Sequence, residues 1–252
     1  GIPFYVLDRP NPLGGEKIEG NITEPAFRSG VSPYPIPYLY GLTVGELAQM
    51  INGEGWSKKS DLHVVKMAGW NRSTLWFETG LPWVPTSPHV PRPESAFYYA
   101  ATGIVGELDG LSIGIGVLSS PFELAGAPKL PATEYAQNLS KRSLPGYQFA
   151  PVTFSPTYAI FKGQTCSGVQ IGFTDYASAP LTRLNFELMD AARAVKPSIK
   201  FFASGPKLFD KVCGTDKVRK MYQAGKTSAE IWAAWNSGAE GFRVKRAKYL
   251  LY

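Results

Sequence analysis

Val6-Leu7-Asp8-Arg9-Pro10-Asn11-Pro12-Leu13-Gly14-Gly15 is the stretch on which the fold turns. The run before it, Ile2 to Leu7, is short, apolar and rich in β-formers, and reads as a buried strand. It empties into Asp8, Arg9 and Asn11, polar groups set among two prolines and two glycines. Open α/β sheets bind ligands beyond the carboxyl ends of their strands. The loop is therefore either one wall of a site or a turn whose side chains satisfy local backbone groups.

Downstream, a Pro-, Gly- and Tyr-rich loop runs to Gly41, its proline density excluding regular helix. Thr43-Val44-Gly45-Glu46 is a capping box, with Leu42 and Leu47 at the staple positions. Leu47, Met50 and Ile51 form the apolar stripe of the helix, and Asn52-Gly53 ends it. Leu62 to Met67 reads as a strand in which His63 is a core or edge residue. Trp70, Trp76 and Trp83 follow in irregular backbone, as packing anchors or as a stacking surface for sugar rings. Ala96 to Gly116 reads as mostly extended, and no phosphate-loop motif occurs.

Beyond Pro121 the pattern alternates. Thr133 to Leu139 predicts a short helix, and Phe149 to Phe161 and Val169 to Phe173 predict strands. Leu184, Leu188, Ala191, Ala192 and Val195 mark a helix closed by Pro197, and Ile199 to Ala203 reads as a strand or extended link. Thr215 is expected to cap a helix that Gly225 stops. Thr227-Ser228-Ala229-Glu230 heads one long helix turning Ile231, Trp235 and Phe242 inward. A domain boundary is expected between residues 1–120 and residues 121–252.

A chain of 252 residues, 44% hydrophobic and 18% charged, is globular in composition and can bury a sizeable core. No run of about 20 apolar residues is present to span a membrane. The first residues lack the features of a signal peptide, and the chain opens without Met on a strand that has nothing to pair with, as a fragment or processed form would. The net charge of +6 permits attraction to polyanions, but Arg243, Lys245, Arg246 and Lys248 read as a solvated helix face, so no nucleic-acid partner is expected. Cys166 and Cys213 have no metal spacing and read as buried free thiols, and two histidines, His63 and His89, are too few for a His-rich metal site. What remains is a set of carboxylates in Gly/Pro loops beside aromatics: Asp8, Glu19, Glu78, Glu107 and Asp109. Glycosidic hydrolysis generally uses two carboxyls, one protonated and one ionised. Composition makes a carbohydrate site plausible and goes no further.

Several ordered motifs carry a closer likeness. They are LDRPNPLGG with Glu19-Gly20, Tyr34-Pro35-Ile36-Pro37, Gly41 to Glu46, Thr79-Gly80-Leu81-Pro82-Trp83-Val84-Pro85, Pro121-Phe122-Glu123 with Gly126-Ala127-Pro128, Gly168-Val169-Gln170, Gly214-Thr215-Asp216 and the closing Lys248 to Tyr252. Together they resemble the bacterial exo-β-N-acetylmuramidases, long catalogued as a domain of unknown function. The resemblance implies an α/β protein: the remainder of a Rossmann-like domain, then a second α/β domain, with the site in the cleft between them. It implies removal of terminal N-acetylmuramic acid from the non-reducing ends of peptidoglycan fragments, in cell-wall turnover, without dinucleotide, other cofactor or metal. A wall substrate implies a secreted or periplasmic home. The family extends upstream and carries there a Gly-Pro-Glu-His-Gly motif expected to supply a catalytic acid. The chain thus resembles the carboxyl-terminal two thirds of a member, inactive in isolation.

On the same resemblance Glu19 and Glu107 are the candidate catalytic carboxylates. Asp8, Arg9 and Asn11 would order the cleft, Trp76 or Trp83 would pack on the sugar, and Thr79, Ser87 and His89 complete the candidate substrate contacts. The departures matter too. Where much of the family has arginine and threonine, this chain has Ile115 and Val117, and His89 replaces an asparagine. An arginine is a natural partner for the lactyl carboxylate of muramic acid. Arg9, Arg28 and Arg72 are the residues that could take its place. A paralogue cleaving another sugar and a non-catalytic wall-glycan binder are the alternative readings.

Overall fold

A computed structural model describes residues 2–206 and 208–252. In chain order its main elements are β1 (Phe4–Leu7), α1 (Val44–Gly53), β2 (Leu62–Val65), α2 (Ser95–Thr102), β3 (Leu124–Ala127), α3 (Ala132–Ser140), β4 (Tyr147–Phe154), β5 (Cys166–Phe173), α4 (Leu181–Val195), α5 (Phe209–Cys213), α6 (Lys217–Gln223), α7 (Ser228–Trp235) and α8 (Ala239–Arg246). The fold is mixed α/β, with one parallel and one antiparallel sheet. Two compact units form, one from Gly1–Trp83, Cys213–Thr215 and Trp235–Tyr252, the other from Val84–Val212 and Asp216–Ala234. The main segment of the first unit ends at Trp83, whereas the boundary read from the sequence lies at 120/121. The backbone pairing of Ser112 with Gly126 explains the difference, since it ties the chain on either side of Pro121 into one body.

In the first unit, β1 and β2 pair in parallel, Phe4 opposite Leu62 and Leu7 opposite Val65, with α1 on the crossover. The capping box forms as its spacing dictates. Thr43 Oγ1 accepts from the Glu46 N–H at 3.2 Å, and Glu46 Oε2 accepts from the Thr43 N–H at 3.0 Å. Leu42, Met50, Ile18 and Phe242 make the core, with Leu47, Ile36 and Tyr249 packed against them. β1 corrects the expectation of a buried strand: Phe4, Tyr5 and Leu7 are 59%, 62% and 64% exposed. α1 meets the sheet where Gly45 lies against Val64, and on the other face Tyr5 stacks on His63 at 4.7 Å between ring centres.

The second unit holds the sheet β3-β5-β4, antiparallel throughout. Gly126 and Gly168 stand directly opposite each other, and a Cβ at Gly168 would meet the Ala125 carbonyl oxygen at 2.0 Å. Leu124, Val169 and Ile171 join Leu181, Leu184 and Leu188 of α4 among the buried residues. Asn185 Oδ1 takes the N–H groups of Ile104 and Val105, fastening α4 to the turn that follows α2.

Three further readings are corrected. Residues 95–102, read as extended, are helical, because Phe97, Tyr98, Ala100 and Ala101 bury together at helical spacing. Thr215 is not the N-cap residue of α6. Its hydroxyl donates to Glu24 at 3.0 Å, and Asp216 occupies the N-cap position. The Thr227–Glu230 capping box forms, but the helix it heads breaks into α7 and α8 across Asn236–Gly238, where Asn236 turns aside to accept the Gly20 N–H. Residues 199–203 form no strand. Cys166 and Cys213 are buried free thiols, as read. Among the described residues no helix is long and apolar enough to cross a membrane.

Candidate functional site

Asp8 leaves the carboxyl end of β1 and is 5% exposed. Its Oδ1 accepts the N–H of Gly45 at 2.8 Å and that of Arg9 at 2.9 Å. Its Oδ2 accepts the Thr43 hydroxyl at 2.7 Å and the Tyr252 phenol at 2.9 Å. One carboxylate thus holds the start of α1, the loop after β1 and the last residue of the chain. A negative charge beside the first N–H groups of a helix is favourably placed. Burial above all, together with the Asp8 carboxylate, pushes the Tyr252 phenol up to about 12.

The knot has a second layer. Glu46 Oε1 accepts from Arg72 and from the Leu251 N–H, both at 2.8 Å. Arg72 also donates to the carbonyls of Gly15 and Gly41, and Arg246 donates to those of Tyr40 and Gly41. Asn11 accepts the Leu13 N–H and donates to the Leu42 carbonyl, each at 3.0 Å. Asp8 and Asn11 therefore hold the loop in shape, and Arg72 is fully engaged. Tyr252, Arg72 and Arg246 went unread as members of this network, because spacing along the chain carries no signal for contacts between its ends.

Beyond the knot lies a hollow of about 600 Å³ at the carboxyl ends of β1 and β2. Asp8, Arg9 and Pro10 line it from one strand and Met67 to Trp70 from the other, with Ser73, Thr74, Glu78, Thr79 and Leu81 completing the wall. Its volume lies within the range typical of small-molecule sites, roughly 300–1,000 Å³. The parallel pair thus opens its loops where ligands bind in α/β sheets. Trp70 donates its indole N–H to the Thr74 carbonyl and meets Tyr252 edge-on, so it packs the floor. Glu78 Oε2 accepts the Leu75 N–H at 2.6 Å, and the Thr79 hydroxyl donates to the Trp76 carbonyl at the same distance.

Of the residues singled out from the sequence, the hollow gathers Asp8, Arg9, Trp70, Glu78 and Thr79. Trp76 and Trp83 meet edge-on at 5.1 Å and do not line it. Glu19 is buried, its backbone paired with Leu39, in the same unit but outside the lining. Glu107 lines a separate hollow of about 380 Å³ in the second unit, with Asp109 and Ile160. Also in that unit, Ser87 Oγ accepts the His89 N–H, and His89 Nε2 lies 2.5 Å from the Tyr158 hydroxyl.

One carboxyl escaped sequence reasoning. Glu123 is buried between Arg92 and Gln170, and burial raises its pKa. It follows Phe122, which adopts φ +69°, a conformation costly for a bulky side chain. The Pro-Phe-Glu string was the available signal. Among the described residues no group of three His, Cys, Asp or Glu side chains is placed to hold a metal ion.

Comparison with known proteins agrees along the whole chain. Residues 1–94 match the model of the exo-β-N-acetylmuramidase NamZ N-terminal family, and residues 97–252 match its C-terminal counterpart. The peptidoglycan β-N-acetylmuramidase NamZ of Bacillus subtilis (strain 168) is 40% identical over 253 aligned residues, which take in all of this chain and 60% of that protein. The chain thus spans about three fifths of the curated relative's length. Two crystal structures of DUF1343 family proteins from Bacteroides fragilis NCTC 9343 superpose on 99% of the chain and 66% of their own lengths. Their TM-scores are 0.94 and 0.80, at 42% and 30% identity.

Proposed function

The chain belongs to the exo-β-N-acetylmuramidase NamZ family, and from that premise we propose that the protein carrying it is a glycoside hydrolase acting on peptidoglycan fragments. In this reading it releases terminal N-acetylmuramic acid from non-reducing ends. The observation that carries the proposal is the 40% identity, over the whole chain, to a peptidoglycan β-N-acetylmuramidase. The hollow at the carboxyl ends of β1 and β2 supports it, being of a size and polarity suited to a sugar residue.

Hydrolysis of the glycosidic bond requires a proton delivered to the leaving oxygen and a carboxylate facing the anomeric carbon or its attacking water. Glu19 and Glu107 are the carboxylates we assign to this chemistry. Arg9 and Thr79 contact the sugar, and Asp8 and Asn11 hold the wall from behind. Trp76, Trp83, Ser87 and His89 complete the proposed contacts. No cofactor is invoked. A wall substrate goes with a secreted or periplasmic location, which belongs to the same proposal.

A second reading, hydrolysis of a different sugar on this scaffold, has one observation in its favour. Val117 stands where much of the family has threonine, and its side chain packs into the apolar cluster of Leu124, Phe154 and Cys166. A panel of chromogenic glycosides offered to the whole protein separates the two. The muramic acid glycoside is expected to be turned over fastest; preference for another glycoside by tenfold or more would move the assignment to the second reading.

A further inference from the structure

Resting on that reading, we infer that Arg9 is the residue that recognises the carboxylate of the substrate sugar. Three arginines were open from the sequence, and their surroundings separate them. Arg72 is spent on Glu46 and on the carbonyls of Gly15 and Gly41. Arg28 follows the short turn Pro25–Phe27 and is not part of the hollow's lining. Arg9 lines the hollow, is exposed, and is the one cationic side chain in the lining. Among the described residues no hydrogen bond or ion pair engages its guanidinium.

Its backbone is set in advance. The Arg9 N–H is tied to Asp8 Oδ1, and Pro10 after it restricts Arg9 to extended conformations. Asp8 makes no ion pair with the guanidinium, and its two oxygens accept four other groups, the Arg9 N–H among them. Glu78, the other carboxylate in the lining, forms no ion pair with Arg9 and is engaged by the Leu75 N–H. A cation on a fixed stretch of backbone, its donors unspent, in a hollow of sugar size, suits a planar carboxylate that can be gripped at both oxygens. N-Acetylmuramic acid differs from N-acetylglucosamine by such a group, its lactyl ether. In a peptide-bearing muramic acid the lactyl carboxylate is an amide and the free carboxylates lie on the peptide.

The test is binding of N-acetylmuramic acid, N-acetylglucosamine and N-acetylmuramoyl dipeptide to the whole protein, comparing wild type with Arg9→Gln, Arg9→Lys and Arg28→Gln. Arg9→Gln is expected to weaken N-acetylmuramic acid at least tenfold, with N-acetylglucosamine and the melting temperature unchanged. Arg9→Lys is expected to recover part of the loss, and Arg28→Gln to behave as wild type. The dipeptide arm identifies the source of the carboxylate: an Arg9→Gln effect on the sugar acid alone confirms the lactyl group. An equal effect on the dipeptide, no effect on either ligand, or equal weakening of N-acetylglucosamine overturns the inference while leaving the functional reading standing. Wild-type protein that binds and cleaves no muramic compound overturns the functional reading and this inference with it.

Discussion

Asp8 and Arg9 are neighbours in the chain but are predicted to fail in different ways. Asp8→Ala would leave the Gly45, Arg9, Thr43 and Tyr252 donors without their shared acceptor. Hydrogen bonds to a charged group contribute about 1.5–3 kcal/mol each, and losses within one network do not sum. We expect at least about 3 kcal/mol of destabilisation, read as a fall in the denaturant midpoint. Any activity lost with Asp8 should therefore come with lost stability, whereas Arg9 variants should melt as wild type. Tyr252 adds a pH dependence of definite sign. Its phenol titrates near 12 in the folded chain against about 10 when unfolded. Its contribution is fully present below pH 10 and is lost as the pH rises towards 12. Tyr252→Phe removes that contribution, so alkaline unfolding curves of the variant should be shallower between pH 10 and 12 than those of wild type.

Element by element, what was legible in the sequence was local. The capping box of α1 spans four residues, and its hydrogen bonds follow from the spacing of Thr43 and Glu46. The exposure of β1 was not legible, because an apolar strand reports what could cover it and not what does. α2 was misread because glycines and aromatics obscured a helical stripe that only the packing of Phe97 and Ala101 reveals. The break between α7 and α8 depends on Asn236 reaching Gly20, 216 residues away. The glycine pair of β3 and β5 gives the element-scale prediction. Gly168→Ala places a Cβ 2.0 Å from the Ala125 carbonyl oxygen, a backbone atom that cannot yield without shifting the strand. Overpacking of this kind typically costs about 1–3 kcal/mol. The melting temperature should fall accordingly, while the same exchange at Gly163, which has nothing within 4 Å of a Cβ but a φ of +71°, should show backbone strain alone.

At the scale of the molecule, the first unit is closed by its own ends, since Asp8 and Tyr252 are 244 positions apart and share a hydrogen bond. The loop after β1 therefore has two employments: Asp8 and Asn11 lock it, and Arg9 faces the hollow. Of the candidate site, Asp8, Arg9, Trp70, Glu78 and Thr79 were legible because they follow a strand or sit in irregular, Gly/Pro-rich backbone, where function concentrates. The remaining lining was not legible, because Met67 to Gly69 joins it only through the parallel pairing of β2 with β1. Catalysis by the whole protein is open to a single measurement. Peptidoglycan fragments with a non-reducing terminal N-acetylmuramic acid are incubated with the whole protein and with its Glu19→Gln variant, and the products are weighed by mass spectrometry. The wild type is expected to release N-acetylmuramic acid, and the variant, melting normally, to release it at least about a hundredfold more slowly. Tight binding of the fragments with no sugar released, or undiminished release by the Glu19→Gln variant, would contradict that expectation.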